Sequence, residues 1–463
     1  MDRLTPLAAS FLDAEDVDAT SSLAIGSFAI FEGPAPGLEE FLDMVRGRLP
    51  LVPLYRKRLH RTALDLAPPA WVDDSHFDLG WHVRRTTLPP PAGREEIGRL
   101  LSRVMATRMD RSRPLWECWF VDGLSEGRWA LLSKVHHCMA DGISGTDLYR
   151  LVLDPTRTPP APPVDTWRPR PPDSVWTLGA RAVRDLATAP AGAARTVAPV
   201  LEAPVTMARR AVRTARGLAS LATAARPVDP TSLTGRLDGN RRYTWAEVDL
   251  EETRVARHAL AVSVNDLALA AITGGFRELL MSRGEEPEAH AVRSLVPVST
   301  RAPGDEGVTD NQVSLMLPYL PVDLADPLER LEEVHRRIRS LQGRHEPEAG
   351  GAVTGIAEHL PFMPVTWGVR LALRLPQRQV ATVTTNVPGP RRTLYAMGRE
   401  LQQMLPYVPI ADRVRIGVAI FSYRDTLTFG ITGDYDTAPD LGVLADGISS
   451  SMAELVAAAG QDD

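Results

Sequence analysis

A chain of 463 residues, 44% hydrophobic and 24% charged, has the make-up of a globular protein long enough to call for two cores rather than one. A net charge of −6 argues against general nucleic-acid binding, and two cysteines, Cys118 and Cys138, exclude a disulfide scaffold and fit a reducing cytoplasm. The first residues show no secretory signal pattern and no run of about 18 apolar residues occurs, so any membrane contact is expected to be peripheral.

In chain order, residues 22–31 read as a strand, followed by a helix with Leu38, Phe41, Leu42 and Val45 on one face. Residues 77–87 read as extended. Ile97, Leu100, Leu101, Val104 and Met105 mark a second amphipathic helix. Residues 116–121 form an aromatic strand, 123–127 a turn, and the apolar run from Trp129 a buried strand that ends on a histidine pair and leads toward a helix beginning near Ser144. Strands alternating with helices predict an α/β layer architecture.

Eight prolines over residues 155–172 signal an extended linker, and residues 176–226 are rich in Ala and Arg. That basic stretch reads either as a solvated linker with surface helices or as a patch that docks on an anionic lipid surface. A second α/β region begins near Arg241. It holds a helix over 264–283 closed by Gly284 and a strand over 292–298. A helix capped by Asp326 and Pro327 and closed by Gly343 comes next, then a strand over 379–385. A hairpin over 413–432 and a final helix over 441–458 complete it. The expected division is 1–158, a linker over 159–240, and 241–463.

The chemistry concentrates at His136-His137-Cys138-Met139-Ala140-Asp141-Gly142. A histidine at a strand end, with an acid four residues on and a glycine that relaxes the turn, supplies an acid–base group and its orienting carboxylate. Neighbouring strand residues point to opposite faces, so the two imidazoles are poorly placed for one metal ion, and none is expected. No Gly-x-Ser-x-Gly elbow is present, and direct transfer to an acceptor is simpler than a covalent intermediate on Cys138.

These residues resemble the His-His-x-x-x-Asp-Gly motif of the coenzyme-A-dependent acyltransferase superfamily. The stretches Leu4–Leu12, Pro114-Leu115-Trp116, Asn265-Asp266 and Asn386-Val387-Pro388-Gly389-Pro390 look like those of bacterial wax ester synthase/diacylglycerol acyltransferases. The resemblance implies two chloramphenicol-acetyltransferase-like domains, with mixed β-sheets flanked by helices and an active-site channel at their interface. It implies that His137 is the general base, with His136 supporting it and Asp141 and Gly142 orienting the loop. The substrates would be acyl-CoA and a lipid alcohol, diacylglycerol or a long-chain alcohol, with no separate cofactor and no nucleic acid. Two other readings stay open: a condensation-type enzyme with carrier-bound substrates, and a membrane or lipid-droplet surface protein with a vestigial site.

Weighed on their own, Asn265 and Asp266 read as first-turn capping residues or as oxyanion donors at a helix N-terminus. Asn386 and Thr385 read as turn chemistry or as polar groups near His137. Pro114, Leu115 and Trp116 read as core packing or as substrate contacts.

Overall fold

The computed structural model describes residues 3–61, 68–140, 151–158, 161–170, 227–299, 313–343 and 377–460. Asp141, Gly142, the helix expected near Ser144 and the basic stretch 176–226 lie outside the described residues.

The first lobe opens with α1 (Pro6–Val17), where Thr5 caps the helix by accepting the Ala8 amide at 3.1 Å and proline takes the first turn. Then come β1 (Ala24–Phe31), α2 (Leu38–Arg48), β2 (Lys57–His60) and β3 (Ala70–Asp73). Residues 77–87, expected to be extended, instead contain the helical turn α3 (Leu79–His82) before β4 (Val83–Thr87). Asp78 explains the difference: its carboxylate accepts the Gly80 amide at 2.9 Å and starts the turn, and Leu79 and His82 are buried three residues apart. Next are α4 (Arg94–Ala106), β5 (Trp116–Asp122), β6 (Trp129–His136) and the short α5 (His137–Ala140).

The second lobe holds β7 (Arg241–Asp249), α6 (Leu250–Ala259), α7 (Val264–Ser282), β8 (Ser294–Ser299), β9 (Val313–Met316) and α8 (Pro327–Gly343). It continues through β10 (Thr382–Val387), β11 (Tyr395–Ala396), β12 (Arg399–Tyr407), β13 (Ile416–Tyr423), β14 (Thr426–Asp434) and α9 (Leu441–Ala459). By length and composition α9 would suit a membrane span. Its stripe Leu444, Ile448, Met452 and Leu455 is buried in the core shared with α7, which is the packing of an interior helix.

Among the described residues these strands form two six-stranded sheets, ordered β11-β12-β1-β6-β5-β4 and β7-β14-β13-β10-β8-β9, beside the β2-β3 pair. Both are mixed: β4 and β5 are parallel in the first, and β10 is parallel to β13 and β8 in the second. A cut at residue 240 does not separate them, because β11 and β12 leave the second lobe and pair in the first sheet, with Gly26 opposite Tyr407 and Ala29 opposite Met404. Pro406 lies inside β12. It sits beyond the two-residue reach of β11, where its missing N–H costs no ladder bond, and its carbonyl accepts the Tyr243 hydroxyl at 2.7 Å.

Glycines set the seam between lobes. A Cβ at Gly98 on α4 would lie 2.6 Å from the Tyr243 carbonyl oxygen on β7, and one at Gly430 on β14 would overlap the Pro406 carbonyl. Backbone therefore meets backbone at both points. The Pro-rich stretch is held rather than free: Asp165 pairs with the buried Arg56 at 2.5 Å, whose guanidinium lies 4.8 Å from the Trp167 ring, and the Arg170 amide donates to Asp73.

Candidate active site

The strand β6 is buried along its whole length and delivers the histidine pair to its end. The His136 amide donates to the Leu115 carbonyl at 3.0 Å and the His137 amide to the Leu23 carbonyl at 2.9 Å. The strand stops at His136 and α5 begins at His137, so the change of direction falls between the two rings.

His136 is 1% exposed. Its Nδ1 accepts the Cys138 amide at 3.1 Å, which puts the ring proton on Nε2, and Nε2 lies 3.3 Å from a Glu15 carboxylate oxygen. Glu15, on α1, also accepts the Leu23 amide at 2.7 Å and the Arg111 guanidinium at 2.9 Å. Burial alone would raise its pKa. The contact and charge of His136, the Leu23 amide and Arg111 outweigh burial and hold the carboxyl down at about 2. A buried carboxylate thus braces the site from behind. Leu23 gives its N–H to Glu15 and its carbonyl to the His137 amide, which ties the carboxylate to the start of α5.

His137 is partly exposed, and its ring stacks on Phe11 with centroids 3.9 Å apart and planes 23° apart. Phe11 and Glu15 are four residues apart on α1, so one helix face supports both imidazoles. Reading the motif alone missed both residues; the available signal was that spacing in the stretch after Leu4.

Two residues before His136, Lys134 is fully buried and donates to the Val104 carbonyl at 2.7 Å and to that of Thr107, closing the C-terminus of α4. Burial lowers its pKa to about 8 against the opposing charges of Glu117 and Glu15. Among the described residues no group of three or more His, Cys, Asp or Glu side chains is placed to hold a metal ion.

In the second lobe the structure brings together two stretches far apart in sequence. The Asn386 side-chain amide, near the end of β10, donates to the Asn265 side-chain carbonyl at 3.0 Å. Asp266 takes the capping role of its two readings. Its carboxylate accepts the Ser263 amide at 3.0 Å and hydroxyl at 2.8 Å as a capping box, and meets His335 of α8 at 2.9 Å. Thr384 is buried and takes the Ser294 hydroxyl at 2.9 Å, whereas Thr385, the next residue, is half-buried on the opposite face of β10.

Pro114, Leu115 and Trp116 are buried, which agrees with the packing reading of the two. The Trp116 indole donates to the Tyr55 carbonyl at 2.8 Å, and the His82 ring stacks on it at 4.6 Å. These residues act by packing the end of β5 beside His136.

His82 yields a pH test. Burial, with the Arg113 charge adding to it, lowers its pKa from 6.5 against its hydrogen bond to the Trp116 carbonyl. The unfolded chain then binds the additional proton below 6.5, so this contribution is complete above that pH and is lost as pH falls. Thermal melts from about pH 7 to pH 5 should show Tm falling for the parent chain and a flatter acid limb for His82→Gln.

Residues 4–268 match the wax ester synthase/diacylglycerol acyltransferase catalytic domain, and residues 309–456 match the C-terminal domain of the same family. The chain is 43% identical over 457 residues to a Mycobacterium tuberculosis protein named probable diacylglycerol O-acyltransferase tgs1, covering 99% of this chain and 96% of that one. A wax ester synthase/diacylglycerol acyltransferase structure from Marinobacter aquaeolei VT8 is similar with a TM-score of 0.66 at 25% identity, covering 99% of this chain and 100% of that one. The first condensation domain of the CDA synthetase shares the fold, with a TM-score of 0.60 at 17% identity over 99% of this chain and 96% of that one. The expected fold class, two such lobes with mixed sheets and flanking helices, holds.

Proposed function

The chain belongs to the wax ester synthase/diacylglycerol acyltransferase family, and from that premise we propose how its site works: His137 is the general base that moves a long-chain acyl group from acyl-CoA to a lipid hydroxyl. The chain is an acyltransferase, and diacylglycerol or a long-chain alcohol is the acceptor. His137 takes the hydroxyl proton as the oxygen attacks the thioester carbonyl. The new C–O bond gives a tetrahedral oxyanion. Its collapse breaks the C–S bond, and the imidazolium returns the proton to the departing thiolate.

The difference between the two rings carries this reading. His136 is enclosed and engaged by Glu15 and the Cys138 amide, and His137 is partly exposed with Phe11 behind it. In this scheme His136, Glu15 and Phe11 fix the ring, and Asp141 and Gly142 keep the orienting role that the resemblance implies. Asn265 keeps its side-chain N–H groups for the oxyanion while its carbonyl is held by Asn386. Thr385 lines the same strand end. Acyl-CoA is a substrate, and no further cofactor is needed. We place the enzyme in the cytoplasm, touching a membrane or lipid droplet through 176–226.

The test is thiol release from palmitoyl-CoA with diacylglycerol, monoacylglycerol or hexadecanol. Release that depends on an acceptor is expected. Vesicle binding without release for any alcohol would instead favour a surface protein with a vestigial site, and release only from an acyl-carrier protein would favour condensation-type chemistry.

A further inference from the structure

We propose that His335, on α8, is a positioning residue for the acyl transfer: it holds Asp266 and so fixes the first turn of α7, which carries Asn265. That role rests on the oxyanion part proposed above for Asn265.

The helix α8 turns a buried stripe, Leu331, Val334 and Ile338, to the core it shares with α7. His335 follows Val334 directly, so it falls at the edge of that stripe, and its side chain is 25% exposed. Its Nδ1 lies 2.9 Å from a carboxylate oxygen of the buried Asp266. An ionised carboxylate only accepts, which puts the ring proton on Nδ1. The cations beside His335 are engaged elsewhere. Arg336 and Arg337 both pair with Glu333 at 2.5 Å, and Arg337 also donates to the Tyr319 carbonyl at 2.8 Å.

The same Asp266 oxygen accepts the Ser263 amide and hydroxyl, and the Asp266 amide donates back to the Ser263 hydroxyl at 3.1 Å. A capping box joins the residues of one turn to each other and to nothing else. The His335 contact ties that turn to a second helix, 69 positions away in sequence. On the other side, Asn386 of β10 holds the Asn265 side-chain carbonyl at 3.0 Å. Two successive residues of the turn are therefore gripped from α8 and from β10. Without the grip from α8, Asn265 keeps its own chemistry and its bond to Asn386 but loses part of the fixed backbone from which its N–H groups are aimed. A donor to an oxyanion is effective only when it is held where the charge develops.

The test is a double-mutant cycle in the CoA-release assay. His335→Leu should lower kcat on the order of tenfold, with KM for both substrates near the parental value, because the oxyanion develops only in the transition state. His335→Asn, whose amide N–H takes the place of Nδ1–H, should keep most of the parental kcat. Asn265→Ala should lower kcat about a hundredfold, and adding His335→Leu to it should cost little more. Thermal melts establish that each variant is folded. If His335→Leu is not, His335→Gln takes its place in the cycle, since its amide lies nearer the reach of Nε2. Parental kcat in the folded His335 variant, or a loss that adds in full to that of Asn265→Ala, overturns the positioning role and leaves the oxyanion role standing. Parental kcat in Asn265→Ala overturns the oxyanion role and the positioning role with it.

Discussion

Replacing His137 with alanine is expected to lower acceptor-dependent CoA release by about a hundred- to ten-thousandfold while leaving the melting temperature close to that of the parent. The ring is partly exposed and stacks on Phe11, so its removal opens no large interior hole. Glu15→Gln separates bracing from chemistry. The amide oxygen still accepts the Leu23 N–H, but the charge facing His136 and Arg111 is gone. A smaller loss of kcat, with an altered pH profile and little change in KM, is expected. Near-parental turnover in His137→Ala would falsify the base assignment.

Asp154→Ala should produce a large loss of stability. Both side chains of the Arg48–Asp154 pair are nearly inaccessible, at 8% and 5%, and they meet through two contacts of 2.6 and 2.7 Å. Removing the acid leaves a guanidinium buried without its counter-charge, at a cost of about 3–5 kcal/mol. Truncation also loosens a junction, because the Asp154 amide and carbonyl pair with Tyr395 at 2.7 and 2.9 Å and so anchor β11. The double variant Arg48→Met, Asp154→Leu removes both charges and should recover most of the loss. Urea unfolding of the parent, single and double variants checks this, and equal midpoints for parent and Asp154→Ala would count against it.

Much of this arrangement was legible from residue patterns. The buried run of β6, the amphipathic stripe of α4 and the Asp326–Pro327 start of α8 follow from burial period and capping chemistry. What stayed hidden depends on three-dimensional neighbours. Glu15 is one acid among four between residues 13 and 18, and only its approach to His136 distinguishes it. Asn265 and Asn386 each read as local turn or cap residues, and their mutual hydrogen bond spans 121 positions. Trp116 carries both a packing and a binding reading in the sequence, and its indole N–H on the Tyr55 carbonyl supports the packing one. The strand β12 was missed because a proline and two glutamines mask its apolar positions, Leu401, Met404 and Leu405.

The excursion of β12 into the first sheet has a mechanical consequence. Take that strand away and β1 becomes a long, open, apolar border, the kind that recruits other chains into aggregates. Neither half of the polypeptide is therefore a self-sufficient module. The molecule should lose its structure in a single concerted step, each half guarding the other against fibre-like association.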